Sequence, residues 1–328
     1  MPDVIHEADD RPVRFDKRVA VVTGAGRGLG REFALLLAAR GARVVVNDVG
    51  LSADADRYST GDTAEHRLVA QHVADEITGR GGQAVANASD VSDPSGSRAI
   101  IDDALEAFGR VDIVINNAGV LPYAPFDELT FADVGKALAV HAGGAFNVTR
   151  AAWPHFREQG YGRVINVASS VGIVYGNQNY AAYAAAKGAL LGLTRVMAFE
   201  GAPLGINANG LLPNARTRGS NSVLAVQNAA DELIRSPALV APAACWLAHE
   251  QCDANGEFFA VKAAGMRKIF ISAAEGFQAP VPERFSPEMI RDHWAQVCDR
   301  QPAISPTTEA EYNAFRNDHY RRVVGRDQ

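Results

Sequence analysis

Residues 18–40 read RVAVVTGAGRGLGREFALLLAAR, and this stretch decides the fold. Arg18–Thr23 is a short apolar run rich in β-branched residues, GAGRGLG interrupts it, and REFALLLAAR follows with apolar residues at helical spacing. Strand, glycine turn and helix in that order open a βαβ unit, which predicts a parallel sheet in an α/β protein. Gly24, Gly28 and Gly30 lack the side chains that would keep a pyrophosphate away from the backbone at the helix N-terminus. Arg27 and Leu29 lie in the same turn and join the glycines as expected cofactor contacts.

Beyond that helix, ARVVVND supplies a second strand ending at Asp48, eighteen residues past Gly30. An acidic residue there accepts hydrogen bonds from the adenosine ribose hydroxyls and repels a 2′-phosphate, so NAD is expected rather than NADP. Arg27 pulls the other way, because a guanidinium pairs with a 2′-phosphate; the carboxylate stands closer to the ribose and decides the expectation. A polar loop over 50–63 and a helix over about 64–79 lead to a third strand, QAVANAS. Asp90 and Val91 follow at its carboxyl end, placed either to bracket an adenine ring or, for Asp90, to cap the helix beginning at Pro94. The fourth apolar strand, VDIVINNAG, breaks into Asn117, Ala118 and Gly119, small and amide residues that let the backbone pass close to a cofactor.

Chemistry concentrates in Ser170–Lys187, SVGIVYGNQNYAAYAAAK. Tyr183 and Lys187 are four apart in an Ala-rich run of high helix propensity, so both project from one helix face. An ammonium beside a phenol favours phenolate and lowers the tyrosine pKa from about 10 toward working pH, as an acid/base acting on an alcohol or ketone requires. Ser170, thirteen residues before Tyr183, directly follows the strand-like run RVINVAS, and its hydroxyl is expected to hold a substrate oxygen. Tyr183 and Lys187 alone would be an ordinary helix pair; the glycine turn and Asp48 make them a dehydrogenase site.

With 328 residues and 47% hydrophobic content the chain suits one large α/β domain with additions. A helix near 240–249 and the strand GEFFAVKAA complete an expected Rossmann-type, doubly wound, seven-stranded parallel sheet with helices on both faces. The divisions read as a polar tail over 1–13, the nucleotide-binding domain over 14–265 and a C-terminal extension over 266–328 that packs on the domain or on a neighbouring subunit. Residues 216–236 read as a helical substrate lid, with Arg216 and Arg218 either meeting a phosphate or solvated. The helix through AAAKGALLGLTRVMAF and the one before it, about 132–157, spread apolar residues over more than one face, which predicts a homodimer. A net charge of −6 argues against a nucleic-acid binder. With no apolar run of about 18 residues and no signal peptide, no membrane association and a cytoplasmic location are expected. Cys245, Cys252 and Cys298 have no metal-ligand spacing, so they are expected as reduced thiols and no metal is expected.

TGxxxGxG at Thr23–Gly30, NNAG at Asn116–Gly119, Ser170 and Tyr183-x-x-x-Lys187 stand in the order and spacing of the short-chain dehydrogenase/reductases, a family the chain resembles over about 14–265. VVVNDVG, GGQAVAN, VTRAAWPHF, YGRVINVAS and Pro213–Ala215 are most similar to its (3R)-hydroxyacyl-CoA dehydrogenase branch, found in peroxisomal multifunctional enzymes and free-standing bacterial relatives. The resemblance implies NAD-dependent interconversion of a 3-hydroxyacyl-CoA and a 3-ketoacyl-CoA. Tyr183 would be the acid/base, Lys187 would also hold the nicotinamide ribose, and Pro213 and Asn214 would lie by the nicotinamide amide, where the family more often has Pro-Gly. His141 stands where most members carry asparagine; the resemblance implies a substitute that links Lys187 to solvent through water. A hydroxysteroid or other secondary-alcohol dehydrogenase, including one for a steroid side-chain CoA thioester, remains the alternative substrate reading. A non-catalytic nucleotide sensor is the alternative of another class, and the Ser-Tyr-Lys set argues against it.

Overall fold

The structure, a computed structural model, describes residues 11–50, 64–215 and 234–325. The expected loop over 51–63 and nearly all of the expected lid, with Arg216 and Arg218, lie outside the described residues. Strands β1 (Val19–Thr23), β2 (Arg43–Asn47), β3 (Gln83–Asn87), β4 (Ile113–Asn116), β5 (Gly162–Val167), β6 (Ile206–Asn214) and β7 (Phe258–Lys262) form a parallel sheet in the order 3-2-1-4-5-6-7. The helices are α1 (Gly28–Ala39), α2 (Ala64–Gly79), α3 (Pro94–Phe108), α4 (Phe131–Leu138), α5 (Gly144–Gln159), α6 (Ala181–Gly201) and α7 (Ala241–Ala248).

Alternate residues of β1 feed two cores, which is why its sequence is apolar throughout. Ala20 and Val22 pack with Phe33 and Leu37 of α1, Ile77 of α2 and Leu247 of α7. Val19 and Val21 pack on the other face with Ile100 of α3, Val148 of α5 and Met197 of α6. Cys245 and Cys252 are buried, Cys298 is exposed, and all three are free thiols; burial pushes Cys245 up to about 12.

At the carboxyl ends of the strands the pattern changes from apolar to amide. Asn47 is in register with Asn87, and Asn116 with Asn166. The buried amides bond one another across the sheet, Asn47 Nδ2 to Asn87 Oδ1 and Asn116 Nδ2 to Asn166 Oδ1, each at 2.9 Å. This polar layer ends the hydrophobic core and floors the cleft described below.

An eighth strand, β8 (Gly265–Ile269), lies beside β7, so the expected seven-stranded sheet is corrected to eight. Ala263 and Ala264, with φ of 50° and 61°, reverse the chain in two residues, and β8 therefore runs antiparallel to β7. Two alanines carry none of the usual Asn-Gly signature of such a turn, which is why the strand reads as part of the extension. The chain divides into two compact units, Met1–Lys268 and Ile269–Gln328. The second contains a small antiparallel pair, β9 (Ala273–Ala274) with β10 (Ala303–Ile304), and helices α8 (Pro287–Asp292), α9 (Trp294–Val297) and α10 (Glu309–Val324). α8 ends and α9 begins at His293, and α10 begins with a capping box between Thr308 and Glu311.

Candidate active site

Tyr183 and Lys187 lie on α6, one turn apart, with Lys187 Nζ 5.7 Å from the Tyr183 ring centroid. Lys187 is buried, and its Nζ donates to the Val167 carbonyl at the end of β5. Burial alone brings its pKa down to about 7, and among the described residues no carboxylate pairs with it. The Ser169 hydroxyl lies by the Tyr183 phenol and favours its ionised form. Its pKa is raised, first by burial and then by the neighbouring phenols of Tyr180 and Tyr175, while the Ser169 bond pulls it back. The expectation that Lys187 lowers this pKa is therefore corrected: an ammonium destabilised by its own burial and committed to a carbonyl gives the phenolate little support.

The hydroxyl that bears on the Tyr183 pKa is that of Ser169, the neighbour of the expected Ser170. Ser169 Oγ accepts from Val171 N at 3.1 Å, which leaves its hydrogen free to donate toward the phenol oxygen. Ser170 instead anchors a turn through its carbonyl, which accepts from Val174 N at 2.8 Å and Tyr175 N at 3.1 Å. Both serines line the cleft, Ser170 thirteen residues and Ser169 fourteen residues before Tyr183.

His141 lies in a five-residue π-helical segment, Ala139–Gly143, between α4 and α5, where an unbroken helix was expected. Such bulges redirect a side chain without ending the helix. The imidazole meets the Tyr183 ring edge-on at a centroid distance of 5.4 Å. Nε2 lies 2.8 Å from the Val120 carbonyl and 3.3 Å from the Val120 amide; the shorter contact, to a group that can only accept, assigns the proton to Nε2 and leaves Nδ1 as an acceptor. Nδ1 is buried without a hydrogen-bond partner among the described residues. Burial and then the charge of Lys187 hold the pKa well below 6.5, against the Val120 carbonyl, so the ring is neutral at physiological pH. A Cβ on Gly119 would come within 2.3 Å of His141 Cε1, so this glycine makes room for the imidazole.

At the other end of the cleft, α1 begins at Gly28 with no side-chain cap from Arg27, and Gly24 and Gly28 have φ of 61° and 53°. Uncapped amides at the positive end of a helix dipole suit a phosphate. Asp48 is oriented by two backbone donors, Gly26 N at 2.9 Å and Gly50 N at 2.8 Å, which leaves half of its lone-pair positions for a ligand. Gly26 escapes the sequence reading, yet a Cβ there would lie 2.9 Å from Asp48 Oδ2. Asp90 Oδ1 accepts from Ser92 N, and the cap of α3 is Asp93.

The cleft measures about 1010 Å³ and is lined by Gly24, Arg27, Gly28, Leu29 and Asp48, by Asp90 and Val91, by Asn117–Gly119, and by Pro213 and Asn214 together with the catalytic group. Gly30 is the exception. It is buried beneath the turn, where a Cβ would lie 2.3 Å from the Gly24 carbonyl. Asn117 serves the scaffold as well, since its Nδ2 donates to the carbonyls of Thr23 and Gly24. Thr23, the first residue of the TGxxxGxG run, accepts through Oγ1 from the amides of Asn117 and Ala118. An anion-binding helix end, a fixed carboxylate and a proton-transfer group in one cleft fit a nicotinamide dinucleotide.

Comparison with known proteins agrees. The short chain dehydrogenase family profile matches residues 18–222. The chain is 41% identical over 305 residues to peroxisomal multifunctional enzyme type 2 of Mus musculus, covering 92% of this chain and 39% of that protein. It is 40% identical over 282 residues to a putative short-chain type dehydrogenase/reductase of Mycobacterium tuberculosis, covering 86% of this chain and 94% of that one. Full-length peroxisomal multifunctional enzyme type 2 from Drosophila melanogaster superposes with a TM-score of 0.76 at 32% identity, over 94% of this chain and 50% of that one. The chain thus spans half or less of these two multifunctional enzymes, and a family of this kind uses NAD(P) as its nucleotide. The chain is a member of the short-chain dehydrogenase/reductase family.

Proposed function

We propose that the chain interconverts a (3R)-3-hydroxyacyl-CoA and the corresponding 3-ketoacyl-CoA, using NAD. The observation that carries this reading is the Tyr183 phenol beside the Ser169 hydroxyl, one helical turn from Lys187, in the cleft that also holds Asp48. Likeness to the multifunctional enzymes supports the thioester substrate class. Ser169 orients the reacting oxygen; Tyr183 takes its proton in oxidation and returns it in reduction. Bound nicotinamide supplies the hydride chemistry. Lys187, with a pKa of about 7, passes between charged and neutral forms near physiological pH, and the buried, unpartnered Nδ1 of His141 offers an acceptor for a proton relay. The raised Tyr183 pKa keeps the phenol protonated at neutral pH, so reduction holds there and oxidation accelerates as pH rises.

The uncapped end of α1 would hold the pyrophosphate, Asp48 the adenosine ribose, and Asp90 and Val91 the adenine. Pro213 and Asn214 would hold the nicotinamide amide, and Lys187 its ribose. NAD is preferred over NADP because the oriented Asp48 carboxylate repels a 2′-phosphate; Asp48→Ala should narrow the ratio of kcat/KM between the two. The functional unit is a homodimer, supported by exposed Phe146 on α5 and exposed Val196 and Phe199 on α6. Sedimentation of the full chain at micromolar concentration checks it, and a monomer refutes it.

NADH fluorescence with the (3R) and (3S) enantiomers of a 3-hydroxyacyl-CoA tests the reaction. Turnover of the (3R) form alone is expected; turnover of a hydroxysteroid but neither thioester would replace this substrate class.

A further inference from the structure

Tyr183 is one of a chain of phenols. The Tyr180 ring, at the N-cap of α6, is clamped edge-on between Tyr123, at a centroid distance of 5.2 Å, and Tyr183, at 5.9 Å. Its backbone is held as well, because Asn179 sits at φ 65° and its carbonyl accepts from Ala124 N. Tyr175 comes from the turn that Ser170 anchors, and Tyr175, Tyr180 and Tyr183 all line the cleft. Among the described residues, no hydrogen bond engages the hydroxyl of Tyr180 or of Tyr175.

A substrate with one oxygen is satisfied by Ser169 and Tyr183. Tyr180 adds a second hydroxyl on the same helix face, three residues before Tyr183, with its ring fixed by aromatic contacts and its hydrogen uncommitted. Burial, with Tyr123 and Tyr175, raises its pKa, so it stays a donor over the working range. A donor held beside the reacting centre matches an acceptor held beside the reacting carbon. We propose that Tyr180 donates a hydrogen bond to a second substrate oxygen, so that the site selects alcohols and ketones bearing a carbonyl two carbons from the reacting carbon. This rests on the hydroxyacyl thioester reading and gives that reading its recognition element, the thioester carbonyl.

The experiment compares wild type with Tyr180→Phe, which keeps the ring and removes the hydroxyl. The substrates are (3R)-3-hydroxybutyryl-CoA, ethyl (3R)-3-hydroxybutyrate and 2-pentanol, with the pH profile of kcat alongside. Wild type should prefer the two 1,3-oxygenated substrates. The variant should lose about fivefold to twentyfold in kcat/KM on both, mainly through KM, beyond whatever it loses on 2-pentanol, as expected for one hydrogen bond. The pH profile should not move. Equal losses on all three substrates, no loss, or a wild type indifferent to the second carbonyl would each overturn the proposal. A wild type that oxidises the ester and not the CoA thioester would defeat the thioester reading while leaving the role of Tyr180 to be judged on the ester.

Discussion

The two ends of the parallel sheet treat buried charges in opposite ways. At the amino end, fully buried Asp112 accepts from Arg18 at 3.1 Å, from Arg110 at 2.6 Å and from the amide of Val19 at 2.9 Å. Arg18 also reaches Glu250 at 2.7 Å, and the Tyr161 ring lies against the guanidinium groups of Arg18 and Arg163, at 3.7 and 4.3 Å. Buried Asp112 is surrounded by partners. At the carboxyl end, buried Lys187 has no carboxylate, and His141 Nδ1 and Asn116 Oδ1 have no partner among the described residues. The Nε atoms of Arg43 and Arg163 at the amino end also lack a partner among the described residues, so the contrast lies in the buried charges. Asp112 is paired and Lys187 is not, and an unpaired buried charge is costly and kept where it serves proton transfer or ligand binding. The amino end is built for stability and the carboxyl end for chemistry.

That contrast breaks most visibly at Asp112. Asp112→Ala strands two arginines and should cost about 3–5 kcal/mol in urea denaturation; a loss below about 1 kcal/mol would reduce the network to an exposed pair. Within the carboxyl end, Ser169→Ala should lower kcat on the order of a hundredfold, as removal of a donor to the reacting oxygen does. Ser170→Ala should leave kcat near wild type, and the reverse ranking would restore the serine that spacing predicts. The smallest effect is the sharpest test of cost. The folded pKa of Lys187, about 7, lies below its unfolded value of 10.5, so between these the unfolded chain binds the extra proton and stability rises with pH. Unfolding free energy of wild type minus that of Lys187→Met should therefore climb by up to about 1.4 kcal/mol per pH unit above pH 7. A flat difference would mean that the ammonium is not burdened by burial.

Much of this was legible in the sequence because strand, glycine turn and helix are local patterns. Tyr183 and Lys187 needed only helical periodicity, and Asp48 only the end of a strand. Which of Ser169 and Ser170 meets the reacting oxygen was less legible, because the distance to Tyr183 runs through a turn whose length helical or strand periodicity does not constrain. The adjacent serine pair after β5 was the available signal, and counting forward from the strand end favours Ser169. The π segment at His141 was hidden because one extra residue per turn leaves the apolar pattern almost unchanged, although Gly143-Gly144 marks the place where the helix is least constrained. β8 reads as a strand-like piece of the extension and not of the sheet, because two alanines take a left-handed turn that side-chain sterics disfavour.

Tyr183→Phe is the decisive variant, since the phenol is the group that exchanges the proton in both directions. NAD binding by calorimetry, run beside NADH formation from (3R)-3-hydroxybutyryl-CoA, should show an unchanged nucleotide affinity and a loss of kcat of at least about a hundredfold. Retention of a tenth or more of wild-type turnover would contradict the assignment of Tyr183 as the acid/base.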